Sequence, residues 1–387
     1  MRQTIAELPG SKIREVANAG LGRSDVLPFW FGESDEVTPE TVRRAASESL
    51  LRGETFYAHN LGLAELREAI AAYTSRLHKP VGVDRIAVTS SGVSALMIAM
   101  QMLAGPGDEV VVVVPVWPNL TAQPEILGAN VRRVSLTAER GAWRLDLQAL
   151  LDAVTASTRV LVLNAPNNPT GWTLTPGEQQ AILAHCRRTG TWIVADEVYE
   201  RVWFGGPGSA ATPAAASFLD VAESDDRVVV AHSFSKSFLM TGWRLGWLVL
   251  PDGHLDAAGK LIEFNSSCAP VFVQRGGLAA LAIAEDFVPG LVLRLRNCRD
   301  TLLPALAALP RVQVATPLGG MYAFFQVDGQ PDSLAFAKHL VREYGLGLAP
   351  GAAFGAEGEG WLRWCFASRD PQRLLQGVER LSKALRL

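Results

Sequence analysis

The run "RVVVAHSFSKSFLMTGWRLGWLVLP", Arg227 to Pro251, joins two short apolar segments through a stretch that carries one lysine and one arginine among aromatic, aliphatic and hydroxyl residues. Neither apolar segment alternates with polar residues as a half-solvated strand would. Runs this uniformly apolar suit strands buried on both faces, which means a mainly parallel sheet covered by helices. The same pattern recurs upstream as "RIAVTS", "DEVVVVVPV", "TRVLVLNAP" and "TWIVADEVY", each followed or preceded by a helix-like segment. The expected fold class is therefore α/β.

Each run also ends in a polar or special residue. In open α/β sheets ligands bind outside the carboxyl ends of the strands, so the ends are the places to read. They give Ser91-Gly92-Val93 before the helical "SALMIAMQML", Trp117 in "PVWPN", Asn168 in "NNPTG", Asp196 and Tyr199 in "DEVY", and Ser233 with Lys236. Strand ends scattered along the chain would thus deliver polar or aromatic groups to one rim.

Lysine is seldom buried without a partner. Desolvated, with a lowered pKa, it is one of the few good nitrogen nucleophiles that a protein can make. If Lys236 forms a Schiff base with an aldehyde cofactor, the remaining groups acquire roles. A glycine-containing turn opening a helix, Ser91 to Val93, offers backbone N–H groups to a phosphate. Ser233 and Arg244 could add a hydroxyl and a guanidinium fork to it. Asp196 suits a protonated ring nitrogen, Tyr199 and Asn168 are candidates for donors to a ring oxygen, and Trp117 offers an aromatic face. The cofactor that these demands describe is pyridoxal 5'-phosphate.

The bulk properties fit a soluble globular protein. The 387 residues carry a net charge of only −3, and 48% of them are hydrophobic, so there is no basic field for nucleic acid. The first residues lack a secretory signal's apolar stretch, and no run reaches the roughly 18 apolar residues of a membrane span. The expected location is the cytoplasm. Cys186, Cys268, Cys298 and Cys365 show no CxxC spacing and the six histidines no ligand spacing, so neither a disulfide framework nor a protein-held metal is expected.

Asn-Pro-Thr-Gly at 168 to 171, Asp-x-x-Tyr at 196 to 199 and Ser-x-x-Lys followed by Arg244 resemble, in order and spacing, the signature series of the class I/II, fold-type I pyridoxal-phosphate aminotransferases. The similarity covers nearly the whole chain. It implies a large domain with a mainly parallel seven-stranded sheet between helices and a smaller α+β domain. On that pattern residues 1–45 form an N-terminal arm and part of the small domain, 46–287 the large cofactor-binding domain and 288–387 the small C-terminal domain. It implies an amino acid and a 2-oxo acid as substrates. It also implies a homodimer with shared active sites, in which Tyr57 reaches the phosphate bound by the partner subunit. Arg363 in "WLRWCFA" takes the place of the arginine that grips the substrate carboxylate, with Gly32, Trp117 and Asn168 beside it.

Two departures matter. Leu120 stands where aspartate aminotransferases place a histidine behind the ring-nitrogen aspartate, and no second arginine for a side-chain carboxylate is evident, so aspartate specificity is not expected. Apolar pocket residues are expected around Phe31-Gly32 and Phe264-Asn265. A serine acyl-enzyme would share Ser-x-x-Lys but expects Ser-Asp-Asn and Lys-Thr-Gly, which are absent from the chain. A cofactor-sensing regulator expects a basic helix-turn-helix module ahead of the aminotransferase-like segment, which here starts almost at Met1. A β-eliminating lyase on the same scaffold shares these motifs, and its products, ammonia and pyruvate, would distinguish it.

Overall fold

The valine-rich runs form the middle of a seven-stranded sheet in the computed structural model, which describes residues 1–139, 141–205 and 213–385. From edge to edge the strands are Ile86–Thr89, Gly246–Val249, Val228–Ser233, Trp192–Asp196, Thr158–Asn164, Glu109–Val114 and Asn130–Ser135. Gly246–Val249 runs antiparallel to both of its neighbours, and the remaining pairs are parallel. The mainly parallel sheet is thus as the sequence implies.

Burial on both faces can be followed along one strand. Val110, Val112 and Val114 pack into the cluster that holds Leu96, Ala99 and Met100 of the helix Gly92–Leu103. Val111 and Val113, pointing the other way, join the larger core on the opposite face. Each such buried side chain contributes about 1.5–3 kcal/mol relative to exposure. The seventh strand, "NVRRVS", was not read from the sequence. It lies at the sheet edge, where Val134 is its one buried residue, so an apolar run is not required there.

A second, antiparallel sheet runs Val312–Val314, Tyr322–Val327, Trp361–Cys365, Ala349–Pro350. The long helix of this part is Ala284–Ala307, beginning a turn before Val288, where the sequence pattern changes. The N-terminal segment joins the same part of the molecule. Leu27–Pro28 pairs in parallel with Leu346–Gly347, and the helix Lys12–Ala19 packs on Ser333–Tyr344. Among the described residues no helix is long and apolar enough to cross a membrane.

Candidate active site

The carboxyl ends of the strands open into a cavity of about 590 Å³. Lys236, Asp196, Tyr199, Asn168, Trp117, Ser233, Arg244, Gly92 and Val93 all line it, and the second sheet and the N-terminal segment add Arg363 and Gly32. Of the thirteen residues singled out from the sequence, Ser91 and Tyr57 are not on its wall.

Ser91 is buried and acts locally. Its Oγ accepts the Ser94 amide at 3.0 Å and its carbonyl accepts the Ala95 amide, capping the helix Gly92–Leu103. The amides of Gly92 and Val93 have no acceptor among the described residues. They are the free donors that a helix start presents to an anion. Gly246 makes their position possible, since a Cβ there would stand 2.6 Å from the Gly92 nitrogen and 2.7 Å from the His232 carbonyl oxygen. Tyr57 is 88% exposed, next to the exposed Phe56, and Phe264 is equally open to solvent. The Phe264-Asn265 pair therefore does not line this chain's cavity, whereas Phe31 does.

Lys236 follows the strand Val228–Ser233, and its Nζ donates to the Gly32 carbonyl at 2.7 Å. Burial lowers its pKa to about 8; Arg363 and Arg244 add to the effect, while Cys365 and Glu33 oppose it. A lysine in that range has an appreciable fraction of free amine near neutrality.

Asp196 is 2% exposed, and burial pushes its pKa up to about 7, against the pull of the Val198 amide and Lys236. The hydrogen bond to its carboxylate is the Val198 amide at 3.4 Å. Asn164, also on the cavity wall, donates to the Asp196 backbone carbonyl at 3.0 Å rather than to the carboxylate. Leu120 is packed in the apolar cluster beside the helix Gly92–Leu103, so an apolar side chain stands where the histidine would be. A buried carboxylate this poorly satisfied is built to receive a cationic donor from the cavity.

Arg363 is held as a fork. One terminal nitrogen donates to Asn168 Oδ1 at 2.9 Å, the other to the Trp30 carbonyl at 2.5 Å, and Nε is buried without a partner. The rings of Tyr322 and Phe354 lie 4.3 and 4.9 Å from its Cζ. Asn168 is fixed in turn by its own amide on Asn164 Oδ1 at 2.7 Å. These cation–π contacts leave the guanidinium on the cavity wall, so they are compatible with its expected place as a carboxylate anchor.

Sequence reasoning missed Tyr322, whose hydroxyl lies 2.6 Å from that of Tyr199, and Asn164. An acid between Asp196 and Tyr199 in "DEVY" would ordinarily be solvated, and Glu197 is not. Glu197 is buried and receives hydrogen bonds from the Ser217 hydroxyl and the Phe218 amide, and burial pushes it up to about 8. Glu197, Glu200 and His232 bring ligand-type atoms within 4.8 Å of one another, but Glu200 is paired with His78 and His232, and Glu197 is taken up by Ser217 and Phe218.

With two free amides over a glycine cradle, an under-satisfied buried carboxylate and a desolvated amine, the donor set fits pyridoxal phosphate. The comparisons agree in kind. The family model described as "Aminotransferase class I and II" matches residues 25–381. A probable aspartate/prephenate aminotransferase of Aquifex aeolicus is 32% identical over 382 residues, covering 97% of this chain and 94% of that protein. An arginine–pyruvate transaminase of Pseudomonas aeruginosa is 32% identical over 348 residues, covering 88% and 85%. The crystal structure of an aspartate aminotransferase from Thermotoga maritima superposes with a TM-score of 0.91 at 30% identity, over 100% of both chains.

Proposed function

The chain belongs to the aminotransferases of class I and II, and from that premise we propose that it moves an amino group from an L-amino acid to a 2-oxo acid with pyridoxal phosphate, by a ping-pong sequence. The observation that carries this reading is the pairing, in one cavity, of the Lys236 amine with the buried Asp196 carboxylate. When bound, the cofactor supplies an aldehyde for the lysine amine and a ring that accepts electrons from the substrate α-carbon.

The chain's own residues have the remaining tasks. The Gly92 and Val93 amides, Ser233 and Arg244 hold the phosphate. Asp196 holds a proton on the ring nitrogen, its burial strengthening that pairing, and Trp117 covers the ring face. Arg363, with Asn168, binds the substrate carboxylate and so orients the α-carbon toward Lys236. The Lys236 Nζ, with its pKa lowered to about 8, carries the proton at that carbon as general base and then acid. Gly32 positions Nζ through its carbonyl. The exposure of Tyr57 and Phe56 supports a homodimer in which Tyr57 serves the partner subunit's cavity.

The test is a visible absorption spectrum of the purified, cofactor-loaded protein, titrated with a panel of amino acids and then chased with 2-oxoglutarate or pyruvate. The expected result is a band that one amino acid removes and the oxo acid restores, with a Lys236→Ala variant inert. Accumulation of ammonia and pyruvate instead would establish a lyase, and near-normal turnover by the Lys236→Ala variant would refute the site.

A further inference from the structure

The hydroxyls of Tyr199 and Tyr322 are 2.6 Å apart, and neither has another hydrogen-bond partner among the described residues. Tyr322 is 1% exposed and Tyr199 2%. At that separation one proton lies between the two oxygens, and the accepting hydroxyl keeps its own proton free to point elsewhere.

The surroundings decide which of the two accepts. Arg363 stands 4.3 Å from the Tyr322 ring, and a cation beside a phenol makes it the stronger donor. Arg363 acts on Tyr199 as well, and the Lys236 Nζ lies 5.6 Å from the Tyr199 ring, but Asp196 opposes them there. Burial raises both phenols, and Arg363 opposes the rise at each. The guanidinium, set against the Tyr322 ring, favours that phenol as the donor.

We infer that Tyr322 is a positioning residue of the transamination site, donating to Tyr199 and so turning the Tyr199 proton into the cavity lined by Lys236 and Asp196. The inference rests on the cofactor reading above. A hydroxyl that accepts one hydrogen bond is also the better donor in the next, so Tyr322 strengthens whatever bond Tyr199 makes to the cofactor's ring oxygen.

The fold is shaped around this tyrosine. In the second sheet Tyr322 pairs with Cys365 and Phe324 with Arg363, so Tyr322 and Arg363 are diagonal neighbours on one face. Across from them, a Cβ on Gly32 would lie 2.0 Å from the Tyr322 hydroxyl oxygen. Glycine leaves that space open, while its carbonyl accepts Lys236. Tyr322 thus touches the three groups, Tyr199, Arg363 and Gly32, through which the cavity is aligned.

The test loads wild type, Tyr322→Phe, Tyr199→Phe and the double variant with pyridoxal phosphate and follows the visible band with pH. Phenylalanine keeps the packing and removes only the hydroxyl. Tyr322→Phe is expected to move the band's pH midpoint in the same direction as Tyr199→Phe but less far, with kcat reduced roughly 3- to 10-fold, the worth of one neutral hydrogen bond. The double variant is expected to match Tyr199→Phe alone. An unmoved midpoint in Tyr322→Phe, or additive shifts in the double variant, overturns the inference with the site reading intact. A wild-type protein that takes up no cofactor overturns both.

Discussion

Adding one methyl group at Gly32 tests how tightly the cavity is aligned. Gly32 is not in the left-handed backbone region, so the chain itself would accept alanine. The obstacle is Tyr322. A Cβ at residue 32 would lie 2.0 Å from its hydroxyl oxygen and 3.1 Å from its Cζ, whereas ordinary contact begins near 3.4 Å. The hydroxyl would have to retreat by more than an ångström. It is buried, packed beside Arg363 and hydrogen-bonded at 2.6 Å to an equally buried Tyr199, so a retreat of that size breaks the bond or displaces both rings.

Overpacking of this kind costs about 1–3 kcal/mol, and a lost neutral hydrogen bond about 1 kcal/mol more. The expected destabilisation of Gly32→Ala is therefore about 2–4 kcal/mol. The assay is urea unfolding at fixed protein concentration for wild type, Gly32→Ala, Tyr322→Phe and the double variant, comparing midpoints at a common slope. With the hydroxyl gone the remaining ring contact is the 3.1 Å one, and the cost of the added methyl is expected to fall below about 1 kcal/mol. Equal costs in the two backgrounds, or a Gly32→Ala cost under about 0.5 kcal/mol, would refute the reasoning, because either result means that the hydroxyl is not what the methyl meets.

Three other perturbations follow from the same geometry. Arg363→Lys keeps the charge but loses the fork held by Asn168 and Trp30, so kcat/KM is expected to fall about 10- to 100-fold for every amino donor alike; a loss confined to one donor would refute a carboxylate anchor. Burial raises the Asp196 pKa from 3.8 to about 7. Its stabilising contribution is therefore full below 3.8 and is lost as pH rises through about 7. Cofactor-free Asp196→Asn should gain thermal stability on wild type across that window, and a difference that does not vary with pH would count against it. His78 sits between Asp220 and Glu200, each 2.9 Å from a ring nitrogen. Burial alone would lower its pKa, but these two carboxylates outweigh burial and push it up to about 10. Its contribution is present below 6.5 and lost as pH rises through about 10. His78→Leu should cost about 3–5 kcal/mol at neutral pH, with the gap narrowing toward pH 10; a constant gap on urea titration would show that the ring is held by packing alone.

The strand ends were legible because chemistry and topology coincide there. A parallel sheet buried on both faces must be apolar along its strands, so the first polar residue past each run marks the rim. Lys236, Asp196, Asn168 and Trp117 were found that way, and all line the cavity. Tyr322 was hidden for the opposite reason. In "GMYAFFQV" it is one aromatic among several in a strand of the second sheet, and its partner Tyr199 is 123 residues away. Nothing local separates a tyrosine that packs from one whose hydroxyl is used. The Ser91 side chain does local work that the sequence reading passed over, since a serine before a helix is first of all a cap, and its Oγ accepts the Ser94 amide. The edge strand Asn130–Ser135 escaped because an edge needs few apolar residues.

The run "DEVYE", Asp196 to Glu200, shows why composition cannot assign charge. It holds three acids within five residues, all buried, and the fold gives each a different state. Asp196 faces the cavity with one long amide bond and is raised to about 7. Glu197, one residue on, meets the Ser217 hydroxyl and the Phe218 amide, and burial carries it up to about 8. Glu200 resists burial because His232, His78 and Arg201 surround it, and it is held below the usual carboxylate range. His78 and Arg201 are thus concentrated on Glu200 behind the turn, and Asp196 is left to be ionised by what enters the cavity. A carboxylate neutralised from behind would have little attraction to offer a protonated ring nitrogen. The separation of Asp196 from the His78–Glu200 pair is, on this argument, what would keep its charge available to a cationic group entering the cavity.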